Sequence, residues 1–457
     1  MGNHNLDIAM FPWLAMGHII PYIHLANQLA ARGHRISFLI PKKTVPKLQH
    51  HSLHPNLITF HPLTVPDVDG LPLGTETASD IPLSLNNLLA VALDLMAHQL
   101  QEILTTIKPQ LVFYDFAYWL PDITKSLGIK SVCYHVVSAT SLAFALVPAR
   151  HVPDHRPIYE EAREPPPGFP SSSILLRCHE ILSMSILSRP FGNGAIKFYE
   201  RLTRGMQNCD ALAVRSCREL EGKFCDYIGT QYGKSLLFTG LALPEPTNTP
   251  ALEDRWAKWL EKFEIGSVVF CAFGSQYFIE KDQFQELVLG FELTGLPFFV
   301  ALKPPIGCKT IEEALPHGFE ERVKERGVVH GGWIQQTLIL SHPSIGCFVS
   351  HCGFGSMMEG LMSDNQIVLV PDLVDQILNT KLLVEELKVA VEVNRELENR
   401  WFSKESLSKA IDSVMDKESE VGMMVKANHA KVKEVIEKPG LMDGYIDKFV
   451  EDLRQLV

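Results

Sequence analysis

A chain of 457 residues with 46% hydrophobic and 21% charged residues has room for two domains of about 200 residues each. Its net charge of −11 and its lack of any Lys/Arg run exclude the basic stripe a nucleic-acid partner needs, so no nucleic acid is expected. Nine cysteines without a C-x-x-C pair read as reduced thiols rather than a disulfide framework or zinc site, no apolar run reaches membrane-spanning length, and a cytoplasmic protein is expected.

Leu6 to Phe11 is a short apolar run that predicts a strand; Pro12 to Gly17 follows as loop, and Ile19 to Ala31 as a helix stopped by Arg32-Gly33. Arg35 to Ile40, Gln110 to Tyr114 and Ser131 to Tyr134 predict further strands. Residues 141–200 are less regular and contain Pro165-Pro166-Pro167-Gly168, which suits either a surface loop or a substrate-binding insertion. Leu241 to Pro250, polar and rich in proline, predicts a linker. Beyond it the strand–helix pattern restarts at Ser267 to Phe273. It continues through Pro297 to Leu302, Val328 to Trp333, Ile345 to His351, Ile367 to Pro371 and Val389 to Val393. Strands alternating with helices imply parallel sheets covered on both faces. The predicted class is therefore α/β, with two doubly wound Rossmann-like domains facing a central cleft. They span 1–240 and 256–440, joined by a linker over 241–255, with a closing helix at 441–457.

In such a fold, residues just past the carboxyl ends of neighbouring strands share one edge. His18 starts the first helix and Asp115 follows the strand ending at Tyr114. A carboxylate on one imidazole nitrogen would leave the other to take a proton, which makes the pair a candidate general base. On the pattern alone, a helix-start histidine and an unrelated loop aspartate is the simpler alternative. In the second half, His351-Cys352-Gly353-Phe354-Gly355-Ser356 follows a strand and opens a helix predicted to begin near Met357. Gly353 and Gly355 allow close backbone approach, and the N–H groups of a helix start suit a phosphate. Gly274 and Ser275, past another strand, offer more donors. Trp333, placed at a strand end, has a face for a base; Glu359, placed on the first helical turn, suits ribose hydroxyls; Asp375 and Gln376 suit sugar hydroxyls. Competing motifs fail. Met358 stands where a dinucleotide fold needs its third glycine, and Ile228 where the P-loop-like Gly233-Lys234-Ser235 needs its first. Asp67-Val68-Asp69 lies between Pro66 and Gly70 and reads as a turn, so no metal is expected.

The 44 residues from Trp333 to Gln376, with W-I-Q-Q, H-C-G-F-G-S-M-M-E and V-P-D-L-V-D-Q, resemble the secondary-product box of plant family 1 UDP-dependent glycosyltransferases. The opening F-P-W-L-A-M-G-H-I-I-P and the segment Y-D-F-A-Y-W resemble that family's histidine and aspartate segments. The resemblance implies a GT-B fold with an N-terminal acceptor domain, a C-terminal UDP-sugar domain and a last helix crossing back to the first. It implies an inverting transfer with His18 and Asp115 catalytic. Trp333 and the Ile334 backbone would meet uracil, Gln336 and Glu359 the ribose, His351 and Ser356 the diphosphate, and Asp375 and Gln376 the sugar. UDP-sugar is then a co-substrate, the acceptor a small phenolic or glycoside, and the protein a monomer without a cofactor. Phe354, Gly355 and Gln335 depart from the usual tryptophan, asparagine and proline. The F-G-S-M form resembles the branch that adds glucose, xylose or rhamnose to a sugar already on a flavonoid or phenolic. Val136 falls near a position where many relatives carry threonine against the sugar 6-hydroxyl, which makes it a candidate for sugar selectivity. The alternatives are transfer to an aglycone and a catalytically silent nucleotide binder.

Overall fold

The computed structural model describes residues 5–243, 251–274, 279–396 and 400–457. Seven parallel strands form one sheet: β1 (Asp7–Phe11), β2 (Arg35–Pro41), β3 (Ile58–Leu63), β4 (Leu111–Tyr114), β5 (Lys130–His135), β6 (Ala211–Val214) and β7 (Leu236–Phe238). Their order is β3-β2-β1-β4-β5-β6-β7. Six more form a second parallel sheet: β8 (Val268–Ala272), β9 (Phe298–Ala301), β10 (Gly327–His330), β11 (Ile345–Ser350), β12 (Gln366–Leu369) and β13 (Val391–Glu392), in the order β10-β9-β8-β11-β12-β13. In each sheet the order reverses once, between β1 and β4 and between β8 and β11. Ligands of doubly wound sheets bind at the strand carboxyl ends beside such a reversal.

The central strands are apolar throughout because helices cover both faces; β4 (LVFY) and β8 (VVFCA) are buried at every residue. Strands β3, β6 and β7 were not anticipated. β3 carries His61 and Pro62 and so shows no clean apolar run, while β6 (ALAV) and β7 (LLF) are apolar but short.

Of the described residues, those within Met1–Ser172, Met184–Glu245 and Lys438–Val457 form one compact unit, and those within Ser173–Ser183 and Pro246–Glu437 a second. The expected range 1–240 therefore needs correction, because 173–183 belong with the second unit. The linker expected over 241–255 also shortens. Leu241 is buried, residues 244–250 lie outside the described residues, and helix Asp254–Leu260 has already begun. Helix Leu441–Leu456 places Ile446, Phe449, Val450 and Leu453 in the core of the first unit, and Arg32 bonds Asp447 at 2.6 Å. All nine cysteines are unpaired thiols. No helix among the described residues is long and apolar enough to cross a membrane.

Candidate active site and nucleotide edge

The register of the first sheet pairs Phe11 with Tyr114, so the chain leaves β1 and β4 side by side. Helix Met16–Ala31 starts three residues earlier than expected and includes Gly17 and His18 in its first turn. His18 Nδ1 lies 2.6 Å from Asp115 Oδ2. Asp115 is 2% exposed, and its Oδ1 accepts from the backbone N–H groups of Trp13 at 2.7 Å and Phe116 at 2.8 Å. A carboxylate only accepts, so Nδ1 carries the hydrogen and Nε2 keeps its lone pair. The ring meets Phe116 edge-on, and Phe116 stacks on Trp13 with centroids 4.8 Å apart.

A further layer holds Phe116. Arg201, fully buried, donates to the Phe116 carbonyl at 2.9 Å and to the Phe191 carbonyl at 2.7 Å, and pairs with Asp94. Trp119 Nε1 also donates to Asp94. Sequence reasoning did not find this pair. Asp94 lies in helix Asn86–Leu95 and Arg201 in helix Phe198–Asn208, more than 100 residues apart, and neither sits in a motif. Buried His135, at the end of β5, is pushed down to about 4 by burial.

In the second unit Ser350 pairs with Ala272, so Gly274 and His351 leave neighbouring strands together. Gly274 has φ +68°, and a Cβ there would lie 2.9 Å from the His351 ring. A Cβ at Gly353 would lie 2.8 Å from the same ring, so the imidazole sits in a slot that glycine alone leaves open. Burial pushes His351 down to about 4, against a backbone bond to Ala272 that raises it. The ring is therefore neutral near pH 7. Ser275 lies outside the described residues.

The glycine-rich turn opens helix Phe354–Met362, three residues earlier than expected, with Gly353 at its N-cap. Gly355 and Ser356 are thus in the first turn, and Glu359 is in the second turn rather than the first. Gln336 Nε2 donates to Glu359 Oε2 at 2.8 Å and to Ser356 Oγ at 3.3 Å, so these three form one polar cluster. Trp333 does not end a strand. β10 stops at His330, and Trp333 stands in the following loop, 79% exposed. Ile334 beside it is buried among Ile339 and Leu340, which anchors the loop and leaves the indole face outward. Gln335, in place of proline, accepts from Glu253 N–H at 2.8 Å and donates to the Ala251 carbonyl at 3.1 Å. Its carboxamide therefore ties down the chain as it enters the second unit.

Asp375 and Gln376 lie in the first turn of helix Val374–Lys381. The Gln376 side-chain oxygen accepts from the backbone N–H groups of Asp372 at 3.0 Å and Leu373 at 3.1 Å, which leaves its NH2 as the donor for a ligand. Asn379 in the same helix donates to the Cys352 carbonyl at 3.0 Å and so joins the helix to the phosphate-type turn. Its signal was a polar residue at a core-facing helical position, three after Gln376. Val136, the candidate for sugar selectivity, lies just past the end of β5. It is 4% exposed and clusters with Ile19, Tyr22 and Tyr134. Gly233 ends helix Arg218–Tyr232 in the left-handed conformation, and Lys234 Nζ bonds the carbonyls of Met206, Gln207 and Cys209, so the P-loop-like run is structural.

Residues 324–431 match the family described as UDP-glucoronosyl and UDP-glucosyl transferase. The chain is 57% identical to UDP-glycosyltransferase 79B9 of Arabidopsis thaliana, covering 100% of this chain and 98% of that protein. It is 55% identical to the anthocyanidin 3-O-glucoside 2'''-O-xylosyltransferase of the same plant, covering 100% of this chain and 98% of the relative. The crystal structure of Arabidopsis thaliana UGT89C1 complexed with UDP-L-rhamnose superposes with a TM-score of 0.76 at 21% identity, covering 98% of this chain and 100% of that one. The fold is GT-B. From the His18–Asp115 pair, the glycine-rich turn and these relatives together, the chain belongs to the plant family 1 UDP-glycosyltransferases and is a sugar-transferring enzyme.

Proposed function

We propose that the protein moves a sugar from UDP onto a hydroxyl of the sugar of a flavonoid or phenolic glycoside, with inversion. The observation that carries the catalytic part is the 2.6 Å bond between His18 Nδ1 and a carboxylate already held by two backbone N–H groups. His18 Nε2 takes the acceptor proton as the acceptor oxygen attacks the anomeric carbon. The bond from that carbon to the diphosphate oxygen breaks, and its electron pair leaves with UDP. A single displacement inverts the centre. Asp115, bonded to Nδ1, orients the ring and stabilises the imidazolium that forms.

In the same reading Trp333 stacks on uracil, beside the Ile334 backbone. Gln336 and Glu359, already bonded to each other, hold the ribose. Gly274, Gly353, Gly355, Ser356 and His351 receive the diphosphate, with the start of helix Phe354–Met362 supplying donors without a metal. Asp375 and Gln376 take the sugar hydroxyls.

The glycoside acceptor is supported by the F-G-S-M turn and by the xylosyltransferase relative, which acts on an anthocyanidin 3-O-glucoside. Transfer to an aglycone is the second reading. The test is a turnover panel on the purified protein, read by mass spectrometry. It pairs UDP-glucose, UDP-xylose and UDP-rhamnose with phenolic aglycones and their monoglucosides. Product from monoglucosides alone is expected; product mainly from aglycones would overturn the acceptor assignment.

A further inference from the structure

Helix Val374–Lys381 runs on into a π-helical turn, Leu382–Glu386, and the whole segment is still short enough to be marginal in water by itself. Its direction depends on tertiary contacts, and two bonded ones involve residues 173–183, which the first half of the chain contributes to the second unit.

These residues bond to the helix at Lys381, where it passes into the π-turn, and link to the chain just ahead of its start. At its last residue, the buried Lys381 Nζ lies 3.0 Å from Glu180 Oε1 and 3.9 Å from Glu392 Oε2. Glu180, also buried, accepts from the Arg177 backbone N–H at 2.6 Å and from Arg177 Nε at 2.9 Å. The Arg177 guanidinium also pairs with Glu392 on β13. Two carboxylates and two cations thus balance in a low-dielectric setting, where removing one partner is costly. Before the first helical residue, Ser183 Oγ accepts from Arg400 Nη2 at 2.6 Å, and Arg400 Nη1 lies 3.0 Å from Asp372 Oδ1. Asp372 is the residue whose backbone N–H, with that of Leu373, holds the Gln376 carboxamide. Three hydrogen bonds in series therefore connect Ser183 to the orientation of Gln376.

We propose that Ser173–Ser183 is a positioning strap for the sugar-binding helix, so that affinity for the donor's sugar, as distinct from its nucleotide, depends on residues from the first half of the chain. The proposal rests on Asp375 and Gln376 being the sugar-binding pair. Ser183, Arg400, Glu180 and Lys381 are positioning residues, because they act on the ligand through the helix. A displaced helix leaves the uracil, ribose and phosphate contacts of other elements in place and shifts only the hydroxyl contacts, where small misplacements are expensive.

The experiment uses the full-length chain with Ser183→Ala and Arg400→Gln, both at the less buried end of the strap, beside Gln376→Ala. For each, the KM of the preferred UDP-sugar and the Kd of UDP alone are measured, with Tm as the folding control. The expected result is a donor KM raised about tenfold in all three variants, a change of 1.4 kcal/mol in binding free energy if KM follows affinity, with the UDP Kd unchanged. If Ser183→Ala and Arg400→Gln weaken UDP and UDP-sugar together, or weaken neither while Gln376→Ala weakens the sugar, the strap is structural only and the proposal falls. If Gln376→Ala itself leaves donor KM unchanged, the sugar-binding assignment falls instead.

Discussion

The two strand-end edges are prepared to different degrees. In the first unit, both oxygens of Asp115 and one nitrogen of His18 are bonded before any substrate arrives. In the second, Trp333 presents 79% of its surface to solvent, and helix Phe354–Met362 starts from a glycine N-cap that supplies no side-chain cap. A group that must move a proton gains by being held in one tautomer and one direction in advance. A group that binds by covering surface gains by keeping that surface open until the ligand covers it. The contrast says that losses at the first edge should appear in kcat and losses at the second in donor affinity.

The largest expected effect is that of His18→Ala. Removing a positioned general base should lower kcat by about 10²- to 10⁴-fold, while calorimetry shows UDP affinity unchanged. Transfer at the parent rate would remove His18 from the chemistry and erase the contrast. Next, Trp333→Ala should weaken UDP by about 1–3 kcal/mol, the range for an aromatic face on a base, with little change in kcat at saturating donor. A kcat loss without an affinity loss would reverse the assignment of that edge.

Acid sharpens the comparison at the level of stability. Burial pushes His24 down to about 3, and His34, His135 and His351 down to about 4, from an ordinary value of 6.5. The unfolded chain therefore binds protons first as pH falls below about 6.5, and the folded chain only near 4 or below. Stability should fall across that window and level off once the folded rings also charge. The urea midpoint should be lower at pH 5 than at pH 7; an equal midpoint would mean the rings are not held neutral. The smallest effect is that of Val136→Thr. A hydroxyl placed among Ile19, Tyr22 and Tyr134 should cost about 1–3 kcal/mol and lower Tm by a few degrees, with the ratio of UDP-xylose to UDP-glucose turnover unchanged. A changed ratio would return Val136 to the sugar.

The sequence made the central strands legible, because β1, β4, β8 and β11 are apolar runs with little else to be. It also made the two edges legible, because His18, Asp115, Gly274 and His351 follow those strands within a few residues. Helix starts were missed by the same three residues in both units. Met16-Gly17 and Phe354-Gly355 place a glycine in the first helical turn, where local propensity argues for loop. Val328 to Trp333 reads as one continuous strand in the sequence, but Gly331 and Gly332 end it at His330. What stayed hidden was held by long-range charge. Arg201 with Asp94, and Glu180 with Lys381, join segments more than 100 residues apart, and no periodicity records such a pairing.

The helix Leu441–Leu456 also bears on how the chain is made. Its Phe449 packs edge-on against Phe113 of β4 with ring centroids 5.9 Å apart, closing a core in which β4 was synthesised more than 300 residues earlier. At a typical elongation rate of about 5–20 residues per second, that core waits tens of seconds on the ribosome with one apolar face uncovered. The unit whose synthesis begins first is therefore the last to be finished, and chaperone dependence during translation should concentrate there.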